Sequence, residues 1–198
     1  MEIKKYKNFI SQGTSQNKYQ IAICHSSRNF NDYISSLEYR FNKKYNRIPN
    51  YLISREGKIF QLLENDQYSK IFSEDKLNKN SIVISLENLG WLNKEPLKDY
   101  YVNWIGDIYN GKVVDKKWRD YFYWQPYTET QMISLSLVCK KIINEMGLEK
   151  EIVGHNTKIN GVENFEGIVT RSNFDSVSTD VSPAFDFDYF SKLLNDEQ

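Results

Sequence analysis

The chain has no excess charge of either sign, since 26 Lys and Arg residues balance 26 Asp and Glu residues among 198. Nucleic-acid-binding domains normally carry a basic face, and peripheral membrane proteins often carry a basic cluster, so the balance argues against both kinds of partner. The chain has only two cysteines, Cys24 and Cys139, and nothing in the sequence suggests that they pair in a disulfide. No segment approaches the roughly 20 apolar residues of a membrane span.

The N-terminus also lacks the apolar stretch of a secretory signal, so we expect a protein made in the cytoplasm without a signal peptide. There is no internal repeat and no low-complexity linker. A length of 198 residues suits one compact domain with a substantial core. We therefore expect a single domain over residues 1–198.

The order of strand and helix signals predicts an α/β (α+β) fold, with a central mixed β-sheet flanked by helices. Apolar runs predict strands at residues 19–24, 50–54, 59–63 and 81–87, and a short strand at 151–153. The spacing of apolar residues predicts three helices. The first is capped by Asn29 or Asn31 and directs Tyr33, Ile34, Leu37 and Phe41 toward the core. The second runs from the capping box at 128–131 to Gly147, and the third is a terminal helix over 188–194.

An aromatic-rich insertion at about residues 91–124 contains all four tryptophans and the turn Asn110-Gly111, and we expect it to be a hairpin-like excursion. Two interpretations of its rings remain open. A groove for a glycan and its stem peptide could be lined by Trp91, Tyr101, Trp104, Trp118 and Trp124, since flat rings stack on sugar faces. Alternatively, the aromatic side chains form a small core that fixes the insertion to the sheet.

Three side chains that can bind zinc follow predicted strands or lie in turns. Cys24 ends the first strand of the core, His155 follows a strand and a glycine, and Asp180 lies in a turn shortly before Pro183. They could converge on one side of the sheet, and three protein ligands plus water is the arrangement of a catalytic zinc site. Zinc lowers the pKa of its bound water to about 7 and polarises a carbonyl group.

Each of these residues also has an ordinary explanation. A histidine after a glycine is more often a satisfied polar residue than a ligand, an aspartate before a proline-containing helix start is more often a cap, and a cysteine that ends a strand is more often a core residue. Only the three together, in this order, favour a metal site.

The chain resembles the type 2 N-acetylmuramoyl-L-alanine amidases, a zinc fold shared by phage lysozyme-like amidases, bacterial recycling amidases and animal peptidoglycan recognition proteins. Four segments carry the resemblance, in order: 19–27 (YQIAICHSS), 49–59 (PNYLISREGKI), 80–87 (NSIVISLE), and 152–155 (IVGH) with 179–187 (TDVSPAFDF). Together with the helices between them they span nearly the whole chain.

The resemblance implies hydrolysis of the amide bond between N-acetylmuramic acid and L-alanine in peptidoglycan or muropeptides. It implies zinc as cofactor, with Cys24, His155 and Asp180 as ligands. Zinc-bound water would attack the carbonyl while a nearby acid or base moves the proton.

Four positions depart from the family pattern. The first ligand is usually histidine, and here that position is Cys24. His25 is the fallback ligand, but it needs a local shift or bulge because neighbouring side chains on a strand point to opposite faces. Many members have histidine where this chain has Asn50, which we include among the substrate contacts with Trp91 and Trp104. The central-strand glutamate of bacterial members is Ser85 here, and Glu87, two residues on and therefore on the same face, is the best catalytic substitute. The lysine that often precedes the third ligand by two positions is Ser178.

Two hypotheses follow. In the first, the chain is a zinc-dependent amidase that acts on the cell wall as a phage endolysin, after phage-mediated release, or as a virion-associated lytic enzyme. A second context for the same activity is muropeptide recycling in the cytoplasm. Alternatively, the chain is a non-catalytic peptidoglycan-binding or structural protein on a degenerate amidase fold.

Overall fold

The computed structural model of the chain describes residues 2–6 and 9–196. The strands, in chain order, are β1 (Ile3–Lys5), β2 (Gly13–Thr14), β3 (Gln20–His25), β4 (Tyr51–Ile53), β5 (Ile59–Gln61), β6 (Gln67–Tyr68), β7 (Ser81–Leu86), β8 (Trp91–Lys94), β9 (Tyr101–Val102), β10 (Ile108–Tyr109), β11 (Val114–Trp118), β12 (Tyr121–Trp124) and β13 (Gly167–Thr170). The helices are α1 (Phe30–Lys43), α2 (Asp75–Asn80), α3 (Glu129–Met146), α4 (Arg171–Phe174) and α5 (Phe187–Asn195), with a 3-10 turn at Val162–Asn164. None of the helices in the described residues is long and apolar enough to cross a membrane.

The main sheet has six strands in the order β1-β5-β4-β7-β3-β13. The β4–β5 pair is antiparallel and the other neighbours are parallel, so the sheet is mixed, and the predicted fold class is confirmed. All residues of β3 and β7 are buried, because helices and loops cover both faces of these central strands. The carboxyl ends of β3, β4, β7 and β13 therefore meet along one edge of the sheet.

Each face of the sheet has its own apolar layer. On one face, Ile21 and Ile84 pack with α3 and α5 through Leu135 and Phe190, which are fully buried. On the other face, Ala22, Cys24, Val83 and Val169 pack with α2 and the 3-10 turn, and a further cluster joins α1 to β4 and β5. The alternation along β3 thus separates odd-numbered residues from even-numbered ones.

The helix ends agree with the sequence prediction. The Thr128 hydroxyl accepts the Gln131 backbone N–H at 3.1 Å, Gln131 Oε1 accepts the Thr128 N–H at 3.2 Å, and Gly147 ends α3 with φ +66°. At α1, Asn29 rather than Asn31 is the cap, because its Oδ1 accepts the Asp32 N–H at 3.0 Å.

The insertion at 91–124 is larger than the expected hairpin-like excursion. It forms a second sheet of five strands in the order β10-β9-β8-β12-β11. The turn at Asn110-Gly111 connects β10 and β11, which lie at opposite edges of this sheet and do not pair with each other. The turn signal was correct, but its flanking strands pair elsewhere because β8 in the centre bonds to both β9 and β12.

The segment at 151–153, expected to be a short strand, makes one isolated parallel bridge between Ile152 and Ile168. The strand beside β3 is β13, which the sequence analysis did not predict. It contains only four residues and begins at Gly167, so its apolar run was too short to register as a strand. The segment before His155 is consequently separated from β3 by a whole strand.

We expect Gly167→Ala to destabilise the fold more than a glycine-to-alanine change in open space. Gly167 has φ +130°, and an added Cβ would lie 2.4 Å from the Glu151 carbonyl oxygen, where β13 enters the sheet. Gly106 has φ +87° with nothing within 4 Å, so Gly106→Ala provides the matched control. We expect a loss of about 1 kcal/mol for the control and about 1–3 kcal/mol more for Gly167→Ala, measured by urea unfolding. Equal losses would contradict the close packing of β13.

Candidate functional site

Cys24 and His25 lie on opposite faces of β3. The strand pairs without a bulge through both residues, Cys24 opposite Ser85 and His25 opposite Leu86. The Cys24 side chain lies in the layer with Ala22, whereas His25 points to the other layer. The prediction of His25 as the fallback ligand is therefore wrong for this arrangement, because the local shift it needs is absent.

The His25 ring is buried against Tyr127. The Tyr127 hydroxyl lies 2.8 Å from Nδ1 of His25 and accepts the Ser182 N–H at 3.4 Å, so its own proton is directed to Nδ1. Nε2 then carries the ring N–H, and it has no hydrogen-bond partner within the described part of the chain. Burial lowers the pKa of His25 below 6.5, and the nearby Asp180 only partly opposes this effect.

Asp180 lies at the carboxyl edge of the sheet, with 5% of its surface exposed. Its Oδ2 accepts the His25 backbone N–H at 3.4 Å, and its Oδ1 accepts the Ser178 hydroxyl. The Asp180 carbonyl oxygen accepts the Ser172 N–H at 2.8 Å and the Ser172 hydroxyl at 2.7 Å. The loop that carries Asp180 is thus fastened to both β3 and α4.

Arg171 is the charged neighbour of Asp180 that the sequence analysis missed. Its Nη1 lies 3.7 Å from Asp180 Oδ2, and the carboxylate is the main cause that raises the pKa of the guanidinium. Arg171 directly follows β13. The short apolar run at 167–169 is the sequence signal that could have predicted this strand, which ends at Thr170 and places Arg171 at its carboxyl end.

The Cys24 thiol is protonated in this environment. Burial raises its pKa to about 12, and the charge of Asp180 acts in the same direction. The guanidinium of Arg171 and the hydroxyl of Ser85 oppose the shift without cancelling it. Ser85 Oγ is buried, and although it lies near Cys24 and Tyr33, it makes no hydrogen bond of good geometry to a described residue.

His155 does not form a group with Cys24 and Asp180 that could hold a metal ion, although its neighbour Asn156 donates to the Val181 carbonyl oxygen at 3.3 Å. His155 is exposed, and its Nδ1 accepts the Thr157 N–H at 3.2 Å. Because β13 lies between the His155 segment and β3, two strand spacings, about 10 Å, separate the two backbones.

The predicted zinc ligands therefore do not form a metal site in this arrangement. Among the residues that the structure describes, no three His, Cys, Asp or Glu side chains are grouped so that they could hold a metal ion. Cys24 and Asp180 are neighbours, but the Asp180 carboxylate already has a cationic partner in Arg171, so this donor set does not fit the ion.

Glu87 is held by backbone groups at the same edge. Its Oε1 accepts the Phe30 N–H at the start of α1 and its Oε2 accepts the Arg55 N–H, each at 2.9 Å. The residue is 8% exposed and lines an open cleft of about 540 Å³ with Asn29, Phe30, Asn31, Asp32, Ser54, Glu56, Lys58 and Phe60. Glu87 thus borders the cleft, although both of its oxygens are already engaged.

Asn50 does not face a cleft. Its Nδ2 donates to the carbonyl oxygens of Glu64 at 2.8 Å and Gln67 at 3.0 Å, while its Oδ1 accepts the Val83 N–H at 2.9 Å. The side chain is 2% exposed. The prediction of Asn50 as a substrate contact therefore disagrees with the structure, in which it ties the β5–β6 loop to β7.

The tryptophans divide between the two interpretations. Trp124 is fully buried, and Trp91 stacks on Tyr121 with ring centroids 4.4 Å apart, so both contribute to the packing of the insertion. Trp104 is 47% exposed, its Nε1 donates to the Ser27 carbonyl oxygen at 2.8 Å, and Arg28 stacks on its ring at 4.7 Å. The insertion thus brings one exposed indole to the chain segment that leaves β3.

Comparison with known proteins gives a consistent family. A family model described as N-acetylmuramoyl-L-alanine amidase matches residues 14–167. No curated protein sequence matches the chain.

Similar solved structures share the fold at low sequence identity. An endolysin amidase, LysCS from Clostridium intestinale URNW, has 14% identity and a TM-score of 0.54, covering 99% of this chain and 97% of its own. AmiD from E. coli, in complex with anhydro-N-acetylmuramic acid-L-Ala-D-gamma-Glu-L-Lys, has 16% identity and a TM-score of 0.54, covering 94% and 61%. Manduca sexta Peptidoglycan Recognition Protein-1 has 9% identity and a TM-score of 0.51, covering 90% and 83%.

The buried His25 predicts a loss of stability in acid. Since its pKa is lowered in the folded state, the unfolded chain binds a proton below about pH 6.5 that the folded chain does not, so stability is retained above this pH and falls below it. The slope contributed by this group reaches about 1.4 kcal/mol per pH unit.

Urea unfolding at pH 7.5 and 5.5 measures the effect. We expect His25→Gln to reduce the pH dependence. His155→Gln, which changes the other of the two histidines and an exposed one, is the control and should retain it. An unchanged slope in His25→Gln would contradict the assignment.

Proposed function

Because the chain belongs to the N-acetylmuramoyl-L-alanine amidase family, we propose that its ligand is bacterial peptidoglycan and that it acts at the amide bond between N-acetylmuramic acid and L-alanine. The family and the enzyme class predicted from the sequence are both confirmed by this membership. The observation that carries the proposal is the match over residues 14–167, which includes β3, β7 and the cleft beside them.

The carboxyl edge of the main sheet is where we place the ligand. In open α/β sheets, ligands bind in the crevice outside the carboxyl ends of the strands. Here that edge holds the cleft beside Glu87, the buried carboxylate of Asp180 and the exposed indole of Trp104. A cleft of about 540 Å³ is in the range of small-molecule sites, large enough for one sugar with part of its peptide.

No catalytic step through zinc is assigned, because the side chains that should hold the ion are not assembled. The Asp180 carboxylate is paired with Arg171, and β13 lies between β3 and the segment that leads to His155. What the chain's own residues supply at this edge is positioning. Glu87 fixes the start of α1 against the β4–β5 turn, and Asp180 fixes the loop that follows α4.

Binding of peptidoglycan without cleavage is the second candidate function. The ion pair between Arg171 and Asp180 favours it, since the carboxylate expected to bind a metal already has a cationic partner. For the biological context, we propose a phage endolysin or a virion-associated lytic protein. The shared fold with the endolysin LysCS supports this context.

Purified sacculi distinguish the two functions. We expect the full chain to sediment with sacculi, because both candidates require binding. Release of peptides with a free L-alanine N-terminus, measured by mass spectrometry, would support hydrolysis, and sedimentation without release would support binding alone. A chain that neither sediments nor releases peptide would contradict the proposal.

Trp104→Ala should weaken binding to sacculi roughly tenfold, equivalent to about 1.4 kcal/mol. The reason is the loss of an exposed ring beside the carboxyl edge. Phe122→Ala is the matched control, because Phe122 is 49% exposed against 47% for Trp104 but lies on β12 beside Lys117. Circular dichroism confirms folding of both variants. Equal binding by the two variants would exclude Trp104 from the ligand surface.

A further inference from the structure

The register of the main sheet places Arg171 beside Cys24. Thr170 at the end of β13 pairs with Ile23, so the next residue in each strand brings Arg171 level with Cys24. Cys24 in turn pairs with Ser85 on β7. Residues that are level in neighbouring parallel strands share a face, and the charge of Arg171 acts on both Cys24 and Tyr33, which agrees with this placement.

The guanidinium also contacts the carboxylate that was expected to bind a metal. Arg171 Nη1 lies 3.7 Å from Asp180 Oδ2, and the Asp180 side chain is 7% exposed. The Arg171 side chain is 32% exposed, so the pair is closed to solvent on the Asp180 side and open on the Arg171 side. A buried carboxylate needs a cationic partner, and Arg171 provides it.

The remaining expected ligand, His155, is exposed and is not grouped with this pair. Its carbonyl oxygen accepts Asn173 Nδ2 at 2.8 Å. Asn173 belongs to α4, the helix that Arg171 begins. β13 therefore lies between β3 and the segment that leads to His155, and the start of α4 brings the arginine to the edge.

We propose that the guanidinium of Arg171 takes the place of the metal cation at the carboxyl edge of this sheet, so that the chain folds and binds its ligand without zinc. The inference rests on the proposed function for the identity of that ligand, but not for the absence of zinc. It separates this chain from the zinc chemistry that its family resemblance implies.

Electrostatic repulsion explains why the Arg171 guanidinium and a zinc ion exclude each other at this edge. A divalent ion placed between Cys24 and Asp180 would lie next to the guanidinium, and like charges at such separations repel strongly where water is excluded. A guanidinium has five N–H donors and the Arg171 side chain is partly exposed, so it can bind a carbonyl or carboxylate oxygen of a ligand where a metal would polarise one.

Zinc content and thermal stability test the proposal on the full chain. After incubation with excess ZnCl₂ and gel filtration, we expect mass spectrometry of the metal to find far less than one zinc per chain. We also expect the Tm to be the same with and without EDTA. About one zinc per chain, with a Tm that falls in EDTA, would overturn the proposal.

Substitution of the arginine gives the reverse experiment. Arg171→Met removes the charge at similar size, and we expect a lower Tm without metal and roughly tenfold or greater gain in zinc affinity over the wild type. Arg40→Met is the control, because it removes the same charge from an exposed residue of α1 whose guanidinium stacks on Tyr45. An equal gain in both variants would overturn the proposal by assigning the effect to net charge.

Arg171→Lys keeps the proposal testable if Arg171→Met does not fold. It retains the positive charge, so we expect it to fold and to remain indifferent to zinc, whereas zinc binding by Arg171→Lys would count against the proposal. Sedimentation with sacculi in EDTA separates this inference from the proposed function. Absence of zinc with no binding to sacculi would contradict the function alone, and bound zinc with binding to sacculi would contradict this inference alone.

Discussion

The pairing of β3 with β7 on one side and β13 on the other determines which side chains meet at the carboxyl edge of the main sheet. Because these strands run parallel, Cys24 and the two residues level with it come from three separate parts of the chain. Ser85 is level with it on one side and Arg171 on the other. A different neighbour in place of β13 would bring a different side chain to the same position.

Asp180 influences the charge of the side chains that this pairing brings together. Its charge acts on Cys24, His25, Tyr127 and Arg171 alike. Next to it, the thiol stays protonated, the imidazole stays neutral and the guanidinium stays charged. The edge therefore holds one negative and one positive charge from these groups, which is the balance that lets a carboxylate remain buried.

Several elements could be predicted from the sequence because local patterns coincide with the tertiary fold. The apolar runs of β3 and β7 are buried on both faces, and Thr128 and Gly147 fix the ends of α3 by local hydrogen bonds and backbone conformation. The alternation of Cys24 and His25 followed from the pleat alone.

The site could not be predicted to the same extent, because it depends on which strands pair. The apolar residues 151–153 predicted a short strand before His155, but a four-residue run such as β13, which takes the place beside β3, does not encode its pairing partner. Asn50 shows the same limit: its burial depends on the β5–β6 loop folding back over it. The aromatic composition of the insertion is visible in the sequence, but the order of its strands could not be predicted, because each strand contains only two to five residues.

The path by which the insertion leaves the core has a consequence for the whole chain. Gly90 directly precedes β8 and has φ +76°, and a Cβ there would lie 3.0 Å from Nε2 of His25. The backbone at this point is therefore the cover of the imidazole. The Gly90 carbonyl oxygen accepts the Gln125 N–H at 3.1 Å, where the chain returns from the second sheet. A shortened chain without that sheet would therefore have to hold Gly90 in place by another contact to keep the imidazole buried.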